Sequence, residues 1–212
     1  MAAPKVREDG LAHQANATAK AVAWSVAYGG MAIASDGGLV APALGDWWDS
    51  LRTRRFLEGG SVISKVRKVQ GTSVPSGGLG VSPRLKSPPL RHGEGDIGGE
   101  VKAEGDDLGR AHALLSLMAH LDGKDRRAYW VEAAALADRG RLLHTAEAQS
   151  GEGIITREVD ETLIKDGFWV GAVWYFPQIG KRYAELTPEE LGRVGDHWTT
   201  LKGQMRNLLG QT

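Results

Sequence analysis

Residues 106–143, DDLGRAHALLSLMAHLDGKDRRAYWVEAAALADRGRLL, decide how the rest of the chain is read. Asp106 or Asp107 can cap a helix in which Leu108, Ala111, Leu115, Met118 and Leu121 share one face. Asp122-Gly123 closes it. Asp125 then opens a second helix carrying Tyr129, Ala133, Leu136, Gly140 and Leu143 at helical spacing. So short a connection predicts an antiparallel helical hairpin. On that reading residues 106–212 form a helical core and the protein is mainly α.

The hairpin runs into a segment, 140–165, with the outline of a helix-turn-helix. Leu142, Ala146, Gly151, Ile155 and Val159 fit its apolar, small and turn positions loosely. Thr156 and Arg157 then sit on the exposed N-terminal side of the second helix, where they can reach phosphates or base edges. Glu158, Asp160 and Glu161 would repel a nucleic-acid backbone, and an ordinary bundle corner explains the same pattern. Next come Phe168, Trp169, Trp174, Tyr175 and Phe176, more aromatic surface than one helix face can bury. Trp169 and Trp174 are therefore candidate interface residues.

At the C-terminal end, Thr187-Pro188-Glu189-Glu190 supplies an N-cap, a first-turn proline and the glutamate of a capping box. Leu191, Val194, Trp198, Leu201, Met205 and Leu208 follow at alternating three and four spacing, which predicts one long amphipathic helix. Its seam can dock on the chain's own core or on another copy.

Upstream, residues 1–58 read as an N-terminal helical region. Leu11, Ala15, Ala19, Val22 and Val26 mark an Ala-rich helix that Gly29-Gly30 stops. A short helix is expected from Asp46 to Leu57. Between the two halves lies a Gly/Ser/Pro-rich connector, 59–105, whose only likeness to a strand is Ser61–Val69. Lys65, Arg67, Lys68, Arg84, Lys86 and Arg91 make its first part cationic, and acidic residues dominate after Glu94. Solvated cations in a flexible segment suit a polyanion better than a core.

Composition narrows the classes. The 212 residues carry 26 basic and 26 acidic side chains, with 42% hydrophobic residues, enough for a core. With no Cys, disulfides and thiol chemistry are excluded. The N-terminus does not read as a signal peptide. Neither Ala19–Ala34 nor Leu39–Leu44 is long enough to span a bilayer, so no membrane is expected and the cytoplasm is the default. No nucleophile elbow, P-loop or dinucleotide fingerprint is present. His112, His120 and His144 are too few and too scattered to predict a metal site. No catalytic residue, metal or cofactor is expected.

The order Asp106-Asp107, Ala119-His120-Leu121, Arg139-Gly140 and Asp166-Gly167-Phe168-Trp169-Val170-Gly171-Ala172-Val173 resembles the Q-type late-gene antiterminators of lambdoid phages over about 70 residues. Upstream, Leu44-Gly45-Asp46-Trp47-Trp48 with Arg52 is similar to that family's N-terminal segment. The resemblance implies a helix-turn-helix core acting on promoter DNA and RNA polymerase in a bacterial host. The expected function is thus a non-enzymatic, nucleic-acid-associated transcription regulator, with DNA favoured over RNA. The alternative is a structural or assembly component of a virion or other large complex, which self-associates.

Overall fold

The computed structural model describes residues 3–57 and 107–209. Helix α1 (His13–Tyr28) leads through Gly29, in the left-handed conformation at φ 67°, into strand β1 (Met31–Val40). Two 3-10 turns follow, Pro42–Trp47 and Ser50–Arg55. Helix α2 (Asp107–Leu117) precedes β2 (Arg127–Asp138) and β3 (Arg141–Gln149). Short strands β4 (Gly153–Ile155), β5 (Trp174–Phe176) and β6 (Lys181–Arg182) come next. Helices α3 (Pro188–Val194) and α4 (His197–Leu209) close the chain.

The six strands form one antiparallel sheet in the order β1-β2-β4-β5-β6, with β3 also paired to β2. Strand β2 is its spine. It pairs with β1 along ten consecutive positions, from Met31↔Asp138 to Val40↔Tyr129. Its other edge takes β3 beyond Val131 and β4 at Arg127–Ala128.

This arrangement corrects the expectation of a mainly helical protein. The fold is α/β, and the predicted second helix of the hairpin is β2 and β3. Alanine favours helix intrinsically, but here both faces of the strand are covered. Ala133, Ala135 and Ala137 pack on Ala17 and Ala21 of α1. Ala134, with Ala146 and Ala148, lies beneath Leu201 and Met205 of α4. Small side chains let both helices approach the sheet closely. In a run this uniformly apolar, any periodicity can be found, so the spacing of Tyr129, Ala133 and Leu136 does not discriminate. Arg139 and Gly140, at φ 45° and 86°, are the paired left-handed residues of a two-residue hairpin turn.

The helix-turn-helix expected over 140–165 is absent for the same reason: its residues belong to β3, β4 and a 3-10 turn at Glu161–Leu163. The expected long C-terminal helix is broken at Gly195, φ 96°. Its capping box does form, with Thr187 Oγ1 accepting from Glu190 N at 3.3 Å and Glu190 Oε2 accepting from Thr187 N at 2.9 Å. A third and larger hydrophobic cluster gathers α2, the 42–56 turns and β4–β5 around Trp48, Trp169, Trp174 and Phe176. At its edge the buried Arg126 guanidinium donates to the carbonyls of Met118, Leu121, Ile155 and Thr156, tying its own segment to two others. Among the described residues no helix is long and apolar enough to cross a membrane.

Candidate active site

Helix α1 changes character along its inward stripe. Ala17, Ala21 and Ser25 pack on the sheet, whereas His13, Asn16 and Lys20 carry polar groups to one carboxylate, that of Asp36 on β1. Asp36 Oδ2 accepts from His13 Nδ1 at 2.8 Å and from Asn16 Nδ2 at 3.4 Å. Asp36 Oδ1 accepts from Lys20 Nζ at 2.8 Å. His13 Nε2 lies 3.1 Å from Ser50 Oγ. With Nδ1 donating to the carboxylate, a neutral imidazole accepts from the Ser50 hydroxyl at Nε2. Burial alone would raise the Asp36 carboxyl, but the hydrogen bonds from His13 and Lys20, together with the Lys20 charge, hold it below the ordinary aspartate value.

Antiparallel partners share a face of the sheet, so Asp36 lies with Ala133 toward α1 and Gly37 with Glu132 toward the opposite side. Glu132 is 6% exposed. Burial pushes its carboxyl up, against the lowering effect of hydrogen bonds from Trp130 and Ser35. Trp130 Nε1 donates to Glu132 Oε2 at 2.7 Å. Gly37 leaves the room that this carboxyl occupies: a β-carbon there would collide with Glu132 Oε2 and sit 2.7 Å from Trp130 Nε1. Gly38 plays a different part, because a β-carbon would strike the Ser50 carbonyl. The Ser50–Arg55 turn can therefore lie directly on β1, where Thr53 Oγ1 accepts from Leu39 N at 3.0 Å and Trp48 Nε1 donates to Leu39 O at 2.6 Å.

Seating that turn on the strand points Arg54 and Arg55 into a cleft of about 1010 Å³. Lys20 and Arg110 add two more cations to its walls, and Asp36 and Glu132 lie in the same cleft. Asp107, at the start of α2, braces one side: Oδ1 accepts from Arg110 Nη1 at 2.6 Å and Oδ2 from Gly167 N at 2.7 Å. The 165–168 loop is thereby fixed with Phe168 beside Trp130, ring centroids 5.3 Å apart and planes at 57°. The cleft thus combines cations for an anionic ligand, two carboxyls displaced in opposite directions, and a contacting aromatic pair that offers an apolar wall.

No family model matches this chain, and no curated protein matches it. Solved structures do share its fold. A Ham1 protein from Coxiella burnetii aligns with a TM-score of 0.64 at 20% identity, over 99% of this chain and 82% of that one. A Ham1 protein from Staphylococcus aureus gives 0.60 at 20% identity, over 98% and 82%. A protein from Mycobacterium abscessus described as a nucleoside-triphosphatase and dITP/XTP pyrophosphatase gives 0.55 at 21% identity, over 99% and 78%.

These findings overturn the resemblance to phage antiterminators and the functions drawn from it. The shared fold is that of Ham1 proteins and of an enzyme acting on nucleoside triphosphates. The non-enzymatic, DNA-binding regulator with RNA polymerase as partner is withdrawn, and so is the virion or assembly component that self-associates. Physically, the segment meant to enter a DNA groove begins with β4, paired between β2 and β5, and goes on to the 3-10 turn at Glu161–Leu163.

Of the residues singled out in the sequence, Lys65, Arg67, Lys68, Arg84, Lys86 and Arg91 lie outside the described residues. Thr156 Oγ1 donates to the carbonyls of Glu158 and Val173, and Arg157 pairs with Asp122. Trp169 and Trp174 are buried in the chain's own core, Trp174 Nε1 donating to Ala128 O at 3.2 Å. Val194, Leu201 and Met205 are buried, Leu191 is half-buried, Trp198 is 39% exposed, and Leu208 falls in the last turns of α4. None of the described ones lines the cleft. His13, Lys20, Asp36, Arg54, Arg55 and Glu132 went unnoticed as site residues. One signal could have found Asp36: Ser35-Asp36-Gly37-Gly38 puts a carboxylate and two glycines directly after a β-competent run.

Proposed function

We propose that this chain is a nucleoside-triphosphate pyrophosphatase, which cleaves between the α- and β-phosphates to give a nucleoside monophosphate and pyrophosphate. The observation that carries the reading is the pairing of Asp36, held ionised, with Glu132, held toward its protonated form, in a cleft lined by Lys20, Arg54 and Arg55. The likeness in fold to a protein described as a dITP/XTP pyrophosphatase supports it.

In this mechanism Lys20, Arg54 and Arg55 bind the triphosphate and stabilise the charge that develops on the leaving pyrophosphate. The contacting rings of Trp130 and Phe168 offer the base an apolar wall on one side. Among the described residues no group of three or more side chains could hold a metal ion on its own. A magnesium ion arriving with the nucleotide would need one or two protein carboxylates besides the phosphates, and Asp36 would supply one, sharing its oxygens with His13 and Lys20. Glu132, whose carboxyl lies closer to neutrality, takes a proton from the water that attacks the α-phosphorus. Deaminated purine nucleotides, such as dITP and XTP, are the first substrates to examine. Acting on a free nucleotide pool, the enzyme would work in the cytoplasm.

Purified protein with magnesium and a panel of nucleoside triphosphates tests the reading by product analysis. Equimolar monophosphate and pyrophosphate is the expected result. Inorganic phosphate with diphosphate, or no turnover of any nucleotide, would contradict it.

A further inference from the structure

The N-terminal segment before α1 has no helix or strand, yet it delivers Glu8 into the cleft. Glu8 Oε2 accepts from Arg55 Nη2, and Glu8 Oε1 lies 3.6 Å from Lys20 Nζ. Glu8 is therefore seated on two of the cations assigned above to the substrate's phosphates. The segment is anchored just beyond it, where Gly10 N donates to Asn16 Oδ1 at 2.9 Å. A β-carbon at Gly10 would sit 2.7 Å from that same oxygen. The tether is thus closely fitted at its base, while the neighbouring Arg7 and Asp9 are largely exposed at 89% and 69% of their side-chain surface.

We propose that Glu8 is an internal anion occupying the phosphate subsite, which an incoming polyphosphate must displace and which returns to help expel pyrophosphate. This rests on the pyrophosphatase reading for the identity of the ligand, while the competition itself rests on the contacts of Glu8. Lys20 faces two carboxylates in the free protein, Glu8 and Asp36, whereas Arg55 has only Glu8 among the pairings described. A triphosphate presents several anionic oxygens to these cations and can replace one carboxylate on both. Because only the form with Glu8 displaced binds, apparent affinity falls by the fraction of protein in that form.

The test compares the full chain with its Glu8→Gln and Asp9→Asn variants, using calorimetric titration with inorganic pyrophosphate and steady-state kinetics with a nucleoside triphosphate. Glu8→Gln is expected to tighten pyrophosphate binding by about three- to tenfold, as suits a partly exposed ion pair, and to lower KM by a similar factor. Asp9→Asn makes the same change in net charge outside the cleft and should leave both values unmoved. Unchanged or weaker pyrophosphate binding in Glu8→Gln overturns the proposal, as does equal tightening in Asp9→Asn. Tightened binding without turnover by any form would sink the pyrophosphatase reading and leave the competition standing. Turnover with no effect of Glu8→Gln does the reverse.

Discussion

His13 Nδ1 lies 2.8 Å from Asp36 Oδ2, and this contact fixes the orientation of the carboxylate at the centre of the cleft. The other Asp36 oxygen is taken by Lys20, so both ends of the group are held by side chains from one helix. Removing the imidazole as His13→Ala should let the Asp36 carboxyl rise and turn. A loss of about ten- to a hundredfold in kcat/KM is expected, in line with the removal of other orienting partners. The Asp36 carboxyl should itself titrate at higher pH, since an anion that loses a donor is protonated more easily, and NMR titration of that carboxyl checks it. An unmoved Asp36 titration would show that His13 serves packing alone.

Glu132 and Asp36 should affect stability in opposite senses. Asp36 has its carboxyl lowered on folding, so its contribution is present above the unfolded value and is lost as pH falls through the folded one. Glu132 has its carboxyl raised, so ionisation of the folded protein costs stability as pH climbs from the unfolded value through the folded one. Glu132→Gln keeps an acceptor for Trp130 and removes that cost. Thermal melts from pH 4 to 8 should show the variant gaining on the wild type as pH rises, while activity is lost at every pH.

The adjacent glycines of β1 should separate function from folding. Gly37→Ala meets the ends of the Glu132 and Trp130 side chains, which can shift, so activity should collapse with a modest loss of stability. Gly38→Ala meets the Ser50 carbonyl, part of the backbone, and should cost about 1–3 kcal/mol as overpacking against an unyielding neighbour. Denaturant unfolding and activity of the two variants check this. Equal effects on both measures would remove the distinction.

Arg126 is buried at 4% exposure and bonds only to carbonyls in the contacts described. Arg126→Met would remove the guanidinium donor from all four, although Met118 O keeps Leu121 N and Leu121 O keeps Arg157, and a destabilisation of about 1–3 kcal/mol is expected from urea unfolding. A neutral outcome would mean that water takes over the carbonyls.

The sequence was most legible where local chemistry settles structure. The stop at Gly29 and the Thr187 capping box are both formed by neighbouring residues. It misled where tertiary layering decided, above all in β2, whose alanines read as helix until α1 and α4 are seen on its two faces. The site was hidden by the same kind of effect. His13, Asn16 and Lys20 make the inward stripe of α1, whereas the apolar spacing through Leu11, Val22 and Val26 pointed to another face; Leu11 and Val26 are 96% and 62% exposed. Catalytic helices can turn polar residues inward, and a search for an apolar seam looks past them. Arg54, Arg55 and Glu132 reach the cleft only through the packing of a turn on Gly38 and the pairing of two strands distant in sequence.

Attack on the α-phosphorus in the cleft between Asp36 and Glu132 is read out by hydrolysis in 18O-labelled water. One labelled oxygen in the nucleoside monophosphate, none in pyrophosphate, and loss of both products in Glu132→Gln is the expected result. Label in pyrophosphate or in inorganic phosphate, or turnover undiminished in Glu132→Gln, would contradict it.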